Sequence, residues 1–153
     1  MSISRKILTG SLLISFVILG GACSQQQHAA APPFSKNTIQ EFADLWQQRD
    51  DERLSMMFAV DAKLMPPDLP MVEGRAAIRQ FLHDMFEQQG LPSELAARDE
   101  YTAGDYTFRD GILTQHLVSG GTQNGKFMQV WKFVDGKWQQ YRVIWNVDGK
   151  VQP

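Results

Sequence analysis

Few side chains in this chain could move a proton, and Asp61, His116 and Tyr101 form the best set. A carboxylate or imidazole takes a proton from carbon once its pKa is brought toward the working pH, and a phenol steadies the enolate that results. Together they would support isomerase- or cyclase-type proton transfer. Each has a plainer role as well. Asp61 follows a helical pattern and precedes a strand, where aspartates commonly satisfy turn hydrogen bonds. His116 lies in an apolar strand, and either face is open to it. His83 has Arg79 and Glu87 four residues to either side, which describes a solvated helix face. Asp99 and Glu100 take opposite faces of one strand, so at most one points inward. The chain has 1 Cys and neither CxxC nor Cys/His zinc spacing, so no metal and no cofactor is predicted.

A second set would bind rather than react. Met57, Met65, Met71, Phe81, Met85, Tyr101, Tyr141, Val143 and Trp145 fall at helix and strand spacings that could line one hollow, and Met with aromatics suits an adaptable pocket for an apolar molecule. The same stripe serves equally as core packing. In the last strand Tyr141, Val143, Trp145 and Val147 form the more apolar alternating set, which assigns them to the inner face. Trp131, Trp138 and Ile144 would then face outward, and such an exposed apolar patch predicts a homodimer.

These side chains need elements to hold them. A chain of 153 residues, 43% hydrophobic and 21% charged, fits one globular domain. A net charge of −2 is too balanced for a nucleic-acid partner. Residues 1–22 read as an export signal: Arg5 and Lys6 precede an apolar run from Ile7 to Leu19 that closes on Gly20-Gly21-Ala22, shorter than a membrane span. Residues 24–36, rich in Gln, Ala and Pro, read as a flexible tether. Thr38 with Glu41 has capping-box spacing, and Ile39, Phe42, Ala43 and Trp46 give helix one over about 38–49. Leu54, Met57 and Phe58 mark a short second helix, and Ile78 to Phe86 a third that ends at Gly90. Short strands are expected at Ala62–Met65 and Met71–Glu73, then longer ones from Leu95 to Thr102 and from Tyr106 to Val118. Phe127–Val134 and Trp138–Val147 flank Asp135-Gly136, a strong hairpin signal. The fold class is α+β, with three helices and a sheet of five or six strands.

Two stretches carry resemblances. Leu19-Gly20-Gly21-Ala22-Cys23 resembles a bacterial lipobox, which implies a lipidated Cys23 at the mature N-terminus, a membrane anchor facing the periplasm and, with Ser24 following, the outer membrane. Ordinary cleavage after Ala22, leaving a free thiol, is the alternative. Asp61-Ala62-Lys63-Leu64-Met65-Pro66-Pro67, Gly74-Arg75-Ala76-Ala77-Ile78 and the closing hairpin through Ile144-Trp145-Asn146 resemble the SnoaL-like, ketosteroid isomerase-like branch of the nuclear transport factor 2-like superfamily. The resemblance covers most of residues 37–148. It implies a strongly curved antiparallel sheet wrapped round three helices as a cone with one open mouth, and commonly a dimer. Relatives in that branch often carry an acid where Val143 stands, so the expected occupant of the cone over 37–150 is a small apolar molecule that is bound without chemistry. The alternative is the enzyme using Asp61, His116 and Tyr101. Arg75 and Asn146 are expected to satisfy backbone.

Overall fold

The computed structural model describes residues 30–89, 94–117 and 120–152. Helix α1 (Lys36–Gln48) starts ahead of Thr38, because the Ser35 hydroxyl accepts from the Asn37 N–H at 3.0 Å and caps it there. Arg49 ends it in the left-handed region, and the Asp50 carboxylate accepts from the Arg53 N–H at 2.8 Å to open α2 (Asp51–Met56). The second helix is shorter than its apolar pattern predicts. Phe58 opens strand β1 (Phe58–Met65) instead, because partners elsewhere claim the backbone. The Gln140 N–H donates to the Met57 carbonyl, and the Arg75 guanidinium gives two hydrogen bonds, 2.9 and 2.7 Å, to the Phe58 carbonyl. Arg75 thus has the backbone-binding role expected of it, at the start of β1 rather than beside Pro66-Pro67.

Strand β2 (Val72–Glu73) leads through Gly74, at φ +84°, into α3 (Arg75–Gln89). Four long strands follow: β3 (Glu94–Ala103), β4 (Tyr106–His116), β5 (Thr122–Val134) and β6 (Lys137–Gln152). Asp135 and Gly136 both take positive φ, 53° and 78°, the turn that a two-residue hairpin of this twist requires. The six strands form one curved, open sheet in the order β2-β1-β6-β5-β4-β3. Strand β1 runs parallel to β6 while the other pairs are antiparallel, so the sheet is mixed where an antiparallel one was expected. Two inward-facing glycines let it curve. A Cβ at Gly111 would overlap the Ala96 carbonyl, and one at Gly125 would overlap the Asn146 carbonyl. Both lie beside register shifts, where strands bend most.

Trp131 and Trp138 lie in the core, not on the outer face. The expected alternation fails at Tyr141, where β6 carries an extra residue: Val130 pairs with Arg142 but Trp131 pairs with Gln140. The bulge reverses the phase, so Trp138 and Gln140 point inward on one side of it and Val143 and Trp145 on the other. The last residues of the expected tether are structured as well. Phe34 packs against Trp131 and Trp138 at ring distances of 5.4 and 5.3 Å, and the Trp138 indole donates to the Pro32 carbonyl at 3.1 Å. An aromatic ring with two indoles to bury it outweighs the tether's low overall hydrophobicity.

Candidate functional site

Cross-strand rows on the inner face of the sheet build the site. Thr107, Trp131, Gln140 and Phe58 form the row at the narrow end; Arg109, Gln129, Val143 and Leu64 the next; Gly111, Phe127 and Trp145 the next; then Leu95, Leu113, Gly125 and Val147; and finally Gln115 with Gln123. Helices α1 and α3 cover these rows with Phe42, Trp46, Phe81, Leu82 and Met85, enclosing a cavity of about 300 Å³. Pro66, Pro67 and Leu69 complete its wall near the open end, where Leu69 and Leu95 are exposed. Its volume is at the small end of the range for small-molecule sites.

The chemistry of the wall is narrow. Among the described residues that line it there is no Asp, Glu, His, Lys, Arg, Tyr or Cys; its polar groups are the side chains of Gln115, Gln123, Gln129 and Gln140 and the indole N–H groups of Trp46 and Trp145. Gln129 is engaged, its Oε1 accepting from Arg109 Nη1 at 3.2 Å and from Trp131 Nε1 at 3.3 Å. Arg109 shares that row without lining the cavity, its Nε bonded to Glu100 at 2.9 Å. Burial pulls its guanidinium below the ordinary value, against the opposing charge of Glu100.

Of the predicted binding set, Phe81, Met85, Val143 and Trp145 line the cavity. Met57 lines a separate hollow under Pro32, Pro33 and Trp138. Met65 pairs with Ile144 on the other face of the sheet, and Met71 is exposed. The bulge turns Tyr141 toward Tyr106, Lys132 and Arg142, whose guanidinium lies 3.5 Å from its ring centre. Tyr101, 68% exposed, sits beside Phe108 on the outer face. The proton-transfer set is not brought together. Asp61 is exposed, with its backbone carbonyl accepting from Arg142, and His116 faces outward with Nε2 3.3 Å from Glu94. Cys23 and the expected export signal lie outside the described residues. Sequence reasoning missed Phe42, Trp46 and the four glutamines. The alternation held a signal for them: Gln129 lies two residues from both Phe127 and Trp131, and Gln115 two from Leu113, so each interrupts an apolar face.

Solved structures superpose on this curved open sheet around helices, one of them described as nuclear transport factor 2-like. A ketosteroid isomerase-like protein from Erwinia carotovora atroseptica SCRI1043 is 16% identical with a TM-score of 0.65, covering 74% of this chain and 93% of that one. A domain of unknown function with a cystatin-like fold from Nostoc punctiforme PCC 73102 is 15% identical at 0.64, covering 74% and 75%. A nuclear transport factor 2-like protein of unknown function from Burkholderia pseudomallei K96243 is 19% identical at 0.56, covering 73% and 88%. At these identities the likeness is one of fold. The SnoaL-like domain model matches residues 39–141, and the chain belongs to that family. No curated protein matches it.

Proposed function

We propose that this domain binds a small, uncharged, largely apolar molecule between its sheet and helices α1 and α3, without catalysing proton transfer. The observation that carries the reading is the wall itself: apolar side chains and neutral amides, with no titratable group among its described residues. A proton-transfer site needs a base within about 3 Å of the proton it takes, directly or through one water. Asp61, His116 and Tyr101 are all placed elsewhere. The test is a titration of ¹⁵N-labelled protein with 2-tetralone, a two-ring ketone. The indole N–H signals of Trp46 and Trp145 should move saturably while that of Trp138, donated to Pro32, stays fixed. Shifts of the Trp138 signal alone, or of none, would overturn the reading.

We propose further that this domain belongs to an exported lipoprotein of the bacterial envelope, held by acyl chains on Cys23 and facing the periplasm from the outer membrane. The only Cys of the chain stands directly after the small residues that end the apolar run. Metabolic labelling with a fatty acid should tag the wild type and not Cys23→Ser, which should also leave the membrane fraction. Equal labelling of both would remove the anchor from the account.

Homodimerisation through the outer sheet face is proposed on Ile144, which was expected there, with three side chains that were not, in place of Trp131 and Trp138. Tyr101 pairs with Phe108 and Met128 with Ile144 there, all four exposed, giving an apolar band across β3 to β6. Light scattering should report a dimer at high micromolar concentration that Met128→Lys with Ile144→Lys converts to monomer. A wild type that stays monomeric at that concentration contradicts this.

A further inference from the structure

Two residues that line the cavity carry buried side-chain atoms with no hydrogen-bond partner among the described residues. Gln140 is 1% exposed, and neither its side-chain Nε2 nor its Oε1 meets a donor or acceptor. The Trp46 indole Nε1 is buried and unpartnered in the same way. The backbone of Gln140 explains its position, since its N–H donates to Met57, but leaves the amide of its side chain unused. Gln129 in the neighbouring row shows the contrast, because Arg109 and Trp131 both claim its oxygen. A buried amide edge with nothing to pair keeps its desolvation cost, so a ligand that pairs it gains by relieving that cost.

We infer that the ligand of this cavity carries an uncharged polar head with a donor and an acceptor side by side, of the cis-amide kind, and that the Gln140 side chain binds it with the Trp46 indole N–H as a further donor. This rests on the binding function proposed above and specifies its ligand class. A cis-amide edge matches a primary amide edge in two hydrogen bonds: its N–H donates to Oε1 and its carbonyl accepts from Nε2. A ketone reaches Nε2 alone and leaves Oε1 orphaned. A carboxylate would enter a wall with no cation, since Arg109 is held by Glu100 and Gln129 and is absent from the lining. A hydrocarbon leaves all three groups as they are. The rest of the molecule would lie on the rings of Phe42, Trp46 and Phe58, in which Phe42 sits 5.9 Å from Trp46 and 6.1 Å from Phe58.

Two probes of one shape test this on the folded chain. 3,4-Dihydro-2-quinolinone has an N–H beside its carbonyl, and 2-tetralone has a CH₂ in that place. The lactam should bind the wild type about tenfold more tightly, and the Gln140 side-chain N–H signals should move downfield in its complex. In Gln140→Met the preference should vanish, and the ratio of ratios cancels the difference in hydration between the probes. Equal affinities in the wild type, a preference that survives Gln140→Met, or Gln140 signals that stay fixed in the lactam complex would each overturn the inference, the first meaning that a retained water serves the amide. The signal shift decides the matter even where Gln140→Met does not fold. Failure of both probes to bind would instead contradict the binding function itself, and the inference with it.

Discussion

Trp131→Ala should cost the domain about 3–5 kcal/mol, the range for removing a large aromatic from a packed core. Total stabilities of such domains lie near 5–15 kcal/mol, so the variant should lose a large part of its margin and melt well below the wild type. The size of the effect follows from what the indole touches. Trp131 is 0% exposed, its ring lies 5.4 Å from Phe34 and 5.7 Å from Phe42, and its Nε1 donates to Gln129. It therefore joins the N-terminal segment, α1 and the polar row of the cavity at one point. Phe34→Ala removes a smaller, half-buried ring from the same cluster and should cost less. Thermal unfolding followed by circular dichroism checks both. A Trp131→Ala domain as stable as the wild type would mean that the indole lies on the surface.

Gly125→Ala is the second large effect, and it adds an atom. The new methyl would point inward against the Asn146 carbonyl on β6, backbone that cannot swing aside as a side-chain tip can. Relief requires β5 and β6 to separate where they bend round the open end of the cavity, and about 3 kcal/mol is the expected loss. Gly149→Ala is the matched control, since a Cβ there meets nothing within 4 Å and takes no positive φ, so its stability should change by less than about 0.5 kcal/mol. Denaturant unfolding of the two variants beside the wild type reads the difference. Equal losses would remove curvature as the reason for this glycine.

Much of the fold was legible in local pattern. The helical stripes, the Asp135-Gly136 hairpin and the order of elements are properties of neighbouring residues, and each appears in the structure near its expected place. What sequence could not supply were the long-range competitions. Phe58 leaves the second helix because Arg75 and β6 satisfy the backbone around it. The inner face of β6 changes phase because one extra residue at Tyr141 is accommodated opposite Val130 and Trp131, and no periodicity announces a bulge. One such slip reverses every β6 side chain beyond it, so Trp138, and with it Trp131 on β5 opposite Gln140, lies in the core and not in the expected outer patch. Phe34 was hidden by its surroundings, since a lone aromatic in a Pro- and Ala-rich stretch gains structure only from indoles about a hundred residues further along. The site was half legible for the same reason. Phe81, Met85, Val143 and Trp145 lie in strongly periodic segments, whereas the glutamines are polar and add nothing to an apolar pattern, although they share its inward phase.

Hydrogen–deuterium exchange at the carbon beside the carbonyl of 2-tetralone separates binding alone from binding with proton transfer. The acidic C–H of that ketone exchanges slowly in deuterated buffer, and a positioned base in the cavity would accelerate it by about 10²–10⁴-fold. With the protein in excess and the Trp46 and Trp145 signals showing the ketone bound, the account predicts exchange no faster than in buffer at any pH from about 5 to 8. A hundredfold acceleration with a bell-shaped pH dependence, abolished in His116→Ala or Asp61→Asn, would contradict it and identify an enzyme.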